Sequence, residues 1–79
     1  MSLTDLPLAS GLKHARVLQR CFGWKVRSKG NHITLTHPSI ANVTLSIPNH
    51  KEVKRPLLHD QIKRAGITDE EYRKQFDFA

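Results

Sequence analysis

Seventy-nine residues with a formal charge of +6, from 13 Lys and Arg against 7 Asp and Glu, exclude a multidomain protein and a deep substrate cavity. A chain this short forms one domain and buries only about 60% of its unfolded surface. Its single cysteine excludes an intrachain disulfide and suits a reducing, cytoplasmic setting; no basic-then-apolar leader marks secretion, and no apolar run is long enough to span a membrane.

Residues 1–9 contain Pro7 and little periodicity, and are expected to form an irregular lead-in to a single domain over residues 10–79. Ser10 has the chemistry of a helix N-cap, with the helix starting at Gly11 or Leu12. Leu12, Ala15, Leu18 and Phe22 recur at spacings of three and four, and Val17 and Cys21 widen that stripe. Lys13, His14, Arg16, Gln19 and Arg20 take the wetter side, and Gly23 is a suitable stop. A strand follows in which Trp24 and Val26 face one way and Lys25 and Arg27 the other. Lys29, Gly30 and Asn31 supply hairpin chemistry, because Gly and Asn tolerate positive φ. In the second strand Ile33 and Leu35 oppose His32, Thr34 and Thr36. After a connection over residues 37–42, Val43, Leu45 and Ile47 oppose Thr44 and Ser46, until Pro48 ends the ladder.

Residues 49–55 read as a polar, basic loop. Pro56 fits the first position of a second helix, with Leu57, Leu58, Ile62 and Ala65 as its apolar stripe and Gly66 as its close. Thr68 and Glu71 have capping-box spacing, and open a short last helix with Tyr72 and Phe76 one turn apart. The order α-β-β-β-α-α predicts an α+β domain. Its three-stranded antiparallel sheet has an apolar underside for the helices to cover and a polar face of Lys, Arg, Thr, Ser and one imidazole, His32.

Charge is distributed unevenly along these elements. The first 67 residues hold 11 Lys and Arg against 3 Asp and Glu, a net +8, whereas residues 68–79 are net −2. Such a body attracts polyanions, with an affinity that falls as salt rises. His32 lies beside Lys25 and Arg27 on the polar face, where an imidazole that titrates near neutral pH can move protons. His37 falls on the apolar side and is expected to be half-buried and hydrogen-bonded. His50, in the loop after the third strand, approaches the same polar surface from its edge and is the candidate second acid or base. His14 and His59 read as surface residues. No two histidines have helical i, i+4 spacing and Cys21 lies on a core stripe, so no metal site is expected. Trp24, Phe22, Tyr72, Phe76 and Phe78 read as core aromatics rather than platforms for bases.

Several motifs occur in a fixed order: Ser10-Gly11, Phe22-Gly23-Trp24, Lys29-Gly30-Asn31-His32, His37-Pro38, Ile47-Pro48, His50 and Ala65-Gly66-Ile67-Thr68. Over residues 10–76 this set resembles the HicA (YcfA-like) toxins of type II toxin–antitoxin systems. The resemblance implies a fold like the double-stranded RNA-binding domain, with helices packed on one face of the sheet. It also implies an mRNA interferase, a metal-independent endoribonuclease without cofactor, whose catalytic histidine closes a Gly-Ser-His turn. That histidine maps onto His32, with Asn31 in the place of the serine. Arg55-Pro56-Leu57 stands where the family often has Gly-Thr-Leu. A HicB-like antitoxin is the implied protein partner and mRNA the implied substrate. Lys25, Arg27, Lys29, Gly30 and Asn31 would then meet the reacting phosphate, and Lys51, Lys54 and Arg55 would hold the RNA backbone. The alternative is a non-catalytic RNA-binding module of the same fold, which needs the cations but not His32.

Overall fold

In the computed structural model, which describes residues 6–78, the chain forms α1 (Gly11–Phe22), β1 (Lys25–Lys29), β2 (His32–His37), β3 (Ile40–Pro48), α2 (Arg55–Arg64) and α3 (Asp69–Phe76). Residues 1–5 of the expected lead-in and Ala79 lie outside the described residues. The strands form an antiparallel meander in the order β1-β2-β3. Alternation divides its faces: Ile33, Leu35, Leu45 and Ile47 are fully buried under the helices, while Thr34, Thr36, Thr44 and Ser46 look outward.

α1 crosses the underside of all three strands. Ser10 Oγ accepts the Lys13 N–H at 3.1 Å, and Gly23 ends the helix at φ 77° with its N–H on the Leu18 carbonyl. The His37 ring approaches Gly23 so closely that a β-carbon there would meet Nε2 at 3.0 Å. Gly23 is therefore required both by its left-handed backbone and by its neighbour.

The buried arc of α1 is Gly11, His14, Ala15, Val17 and Leu18, and Leu12 is 50% exposed. His14 is thus a core residue, contrary to its polar reading. The reason is a third layer. α3 packs on α1 and α2 and on no strand, so α1 is covered from two sides. His14 Nδ1 lies 2.6 Å from the Tyr72 hydroxyl, and its Nε2 has no partner among the described residues. Burial, with a contribution from Lys13, pulls its pKa down to about 4. Burial likewise pushes the Tyr72 hydroxyl far up. Phe22 stacks on Tyr72, but Phe78 lies past the helix end, 82% exposed, and is not a core aromatic.

α2 begins at Arg55 with Pro56 as its second residue, and runs along the outer edge of β3. Leu58 and Ile62 are buried, whereas Leu57 is exposed and falls off the stripe. Gln61 Oε1 accepts the Ser46 N–H at 2.9 Å, which satisfies an edge donor of the sheet. The expected capping box is present in both arms: Thr68 Oγ1 accepts the Glu71 N–H at 3.1 Å, and Glu71 Oε1 accepts the Thr68 N–H at 3.4 Å. The described part of the lead-in is irregular but packed. Leu6 joins the core, its carbonyl accepts Arg55 Nε at 2.8 Å, and the Ala9 carbonyl accepts the Val53 N–H at 2.8 Å.

Candidate active site

Register, more than alternation, decides which side chains share the polar face. Lys25 pairs with Thr36 and Val26 with Leu35, but the next pair is Ser28 with Thr34, so a bulge leaves Arg27 without a partner in β2. Ser28 Oγ and Thr34 Oγ1 lie 2.6 Å apart on the polar side. Lys29 then stands opposite Ile33, at the rim of the underside. Unbroken alternation would have carried Arg27 onto the polar face with Lys25. The bulge means that Lys25 alone of the three cations has its facing set by a polar-face partner.

His32 is the first residue of β2, opposite Pro48, and is exposed. Its ring makes no hydrogen bond to any described residue. Three segments meet at this corner. The Gly30 N–H donates to the His32 carbonyl at 3.2 Å and closes the hairpin. Asn49, just past β3, donates its N–H to the Asn31 carbonyl at 2.9 Å and its side-chain Nδ2 to the Gly30 carbonyl at 3.0 Å. The Gly11 N–H donates to the His50 carbonyl at 2.9 Å, so the start of α1 is tied to the same place. The corner therefore brings His50, by its backbone, next to the turn that carries His32.

Positive φ, expected at Gly30 or Asn31, occurs at neither. Among the non-glycine residues it falls on Asn42 (φ 64°), where residues 41–43 bulge out of β3. The turn is tied to Asn49 by the carbonyls of Gly30 and Asn31. Gly30 is instead open: a β-carbon there meets no atom within 4 Å.

Lys25, Arg27, Lys29, Asn31, Lys51 and Lys54 are all exposed, and none pairs with a carboxylate among the described residues. Arg55 is half-buried, and its Nε is committed to the Leu6 carbonyl. His37 is spent elsewhere: its Nδ1 accepts the Ser39 N–H, so Nε2 donates to the Phe22 carbonyl at 2.9 Å, with the ring edge-on to Trp24. His59, read as a surface residue, is tied to Asp69 at 3.0 Å. That pair lines an open depression of about 460 Å³ between α2 and the start of α3, together with Lys63, Ile67, Thr68 and Glu70. Its lining carries both signs of charge.

Asn49 was not a candidate from sequence. Its only local signal is an Asn directly after a strand-ending Pro, which marks a turn without saying what the amide reaches. Among the described residues no group of three or more His, Cys, Asp and Glu is placed to hold a metal, and no helix is long and apolar enough to cross a membrane. The corner and its flank thus offer two exposed imidazoles without a hydrogen bond to a described residue, those of His32 and His50, together with exposed cations and backbone amides. Such a set can bind an extended polyanion and move a proton on it.

Comparison with protein families gives a match over residues 13–67 to the model described as the HicA toxin of bacterial toxin–antitoxin systems. The match runs from the first turn of α1 to the residue before the α3 cap, and includes the whole sheet and the His32 turn. Comparisons with curated proteins and with solved structures gave no match.

Proposed function

The chain belongs to the HicA toxin family, and from that premise we propose that it is an mRNA-cleaving endoribonuclease with His32 as its catalytic residue. The observation that carries the reading is the place of His32: exposed, unpartnered, at a hairpin mouth on a sheet face of Lys, Thr and Ser. The element order, helix then three antiparallel strands then helix, fits the double-stranded RNA-binding arrangement implied by the resemblance.

In the proposed reaction His32 removes the proton of an RNA 2′-hydroxyl while that oxygen bonds to the adjacent phosphorus. The bond from phosphorus to the 5′-oxygen breaks, and the leaving oxygen takes a proton from His50 or water. Lys29, beside the turn, offsets the charge that develops on the phosphate, while Lys25, opposite Thr36 at the far end of β2 from His32, and Arg27 at the bulge meet the strand farther along. Lys51, Lys54 and the outer nitrogens of Arg55 hold the strand beyond it. The 2′-hydroxyl is held close to phosphorus by the RNA itself, which lowers the entropic part of the barrier. The natural setting is the cytoplasm, where mRNA is translated. The partner is a HicB-like antitoxin that presents carboxylates to this surface or covers His32, and so competes with RNA.

Cleavage assays on purified protein test the reading. Wild type should cut RNA in EDTA and leave a 2′,3′-cyclic phosphate and a 5′-hydroxyl. His32→Ala should fold, bind RNA and leave it intact, because truncation of an exposed side chain opens no core cavity. A single 2′-deoxy sugar at the cut site should block cleavage without weakening binding. Products with 5′-phosphate ends would rule out 2′-hydroxyl attack. Tight RNA binding with no fragments under any condition would leave the non-catalytic RNA-binding module.

A further inference from the structure

Asn49 grips the turn before His32 by two successive carbonyls, those of Gly30 and Asn31. No described peptide is cis, and a trans peptide points its C=O and its N–H in opposite directions. The Gly30 carbonyl aimed at the Asn49 amide therefore turns the Asn31 N–H away from Asn49. The Asn31 carbonyl aimed at the Asn49 N–H turns the His32 N–H away as well. The Asn31 N–H has no hydrogen-bond partner among the described residues, whereas the Gly30 N–H is taken by the His32 carbonyl. No side chain of the turn crowds the approach at Gly30, where added bulk would meet nothing. Successive amides directed to one side of a turn form an anion-binding concavity. Here one of the two belongs to His32 itself.

We propose that Asn49 is a positioning residue, which aims the N–H groups of Asn31 and His32 outward as a two-donor cradle for a phosphodiester oxygen beside His32. The choice of a phosphodiester rests on the ribonuclease reading; the cradle itself rests on the geometry of the turn. An amide is the side chain this task needs. Its Nδ2 donates to the Gly30 carbonyl, and an isosteric carboxylate would instead repel it. The main-chain bond from Asn49 to Asn31 survives any substitution, so removal of the side chain frees one peptide and leaves the strand ends joined.

The test uses Asn49→Ala and Asn49→Asp with two readouts. In single-turnover cleavage both variants should lose about 10²-fold in the rate of the chemical step, the scale of a small misplacement at a reacting centre. RNA affinity and melting temperature should stay near wild type. In ¹⁵N–¹H spectra, inorganic phosphate should shift the Asn31 and His32 amides of wild type more than chloride does at equal ionic strength, and the shift at Asn31 should be lost in Asn49→Ala. The wild-type titration needs no variant to fold. If phosphate leaves those two amides unmoved, or if both variants cleave at the wild-type rate, Asn49 is only a tie between strands and the inference is overturned. If wild type cuts no RNA yet its amides respond to phosphate in an Asn49-dependent way, the cradle stands and the ribonuclease reading falls.

Discussion

At the scale of single residues, His32 is held by its backbone alone. Among the described residues no carboxylate or carbonyl orients its ring, so the placement of the imidazole depends on the turn that precedes it. Gly30 tests this directly. Its φ lies outside the left-handed region and a β-carbon would meet nothing, so Gly30→Ala should change stability by no more than about 0.5 kcal/mol. If RNA approaches the turn backbone, the added methyl stands in its path, and kcat/KM should fall about tenfold or more. Denaturant melts and cleavage rates on one preparation check both halves, and full activity would show that the phosphate stays clear of the turn. The exposure of His32 was legible in the sequence, because period-two alternation is a local property. The part played by Asn49 was not, since it depends on two segments that only the finished sheet brings together.

Elements show the same division. Helix starts and stops could be read from Ser10, Gly23, Thr68 and Glu71, which act within one turn of chain. The Arg27 bulge and the burial of His14 could not, because each is imposed by a neighbouring element: β2 in one case, α3 in the other. The packing of α1 on α3 carries a prediction of its own. His14 is neutral in the fold, with its pKa lowered from 6.5 to about 4. The unfolded chain therefore takes up this proton more readily. Stability should be full above about pH 6.5 and should fall as pH drops toward 4, by roughly 3 kcal/mol in all if this site acts alone. Urea midpoints between pH 7 and 4.5 measure it. His14→Gln, which keeps an acceptor for Tyr72 but does not titrate, should flatten the dependence; an unchanged slope would place the acid sensitivity elsewhere. Helix α1 also meets β3 closely, since a β-carbon on Gly11 would overlap the Pro48 carbonyl. Gly11→Ala should cost about 1–3 kcal/mol, as overpacking does, and a melt of the variant shows it.

Across the whole molecule, acidic charge concentrates in the outermost helix. Asp69, Glu70 and Glu71 open α3 behind α1 and α2, whereas β1 and the loop over residues 49–54 expose lysines. RNA affinity measured with an uncleavable 2′-deoxy substrate should fall linearly on logarithmic axes as salt rises. Arg27→Gln or Lys51→Gln should lower that slope by about 0.7 for each phosphate that is no longer neutralised, and Arg73→Gln, on the far layer, should not. Equal effects from all three would mean that the RNA wraps both sides. The two sheet edges meet solvent differently. α2 screens β3 through Gln61, while β1 is the other edge and carries Lys25, Arg27 and Lys29, with a kink at Arg27. Mutual repulsion and a broken ladder keep such an edge from pairing with a second molecule. The cations proposed to draw in RNA thus also guard against self-association. Neutralising all three would open a sticky edge, and a precipitated sample would then imitate a catalytic defect. Exchange for glutamate, which repels RNA while two such edges still repel each other, separates the two roles.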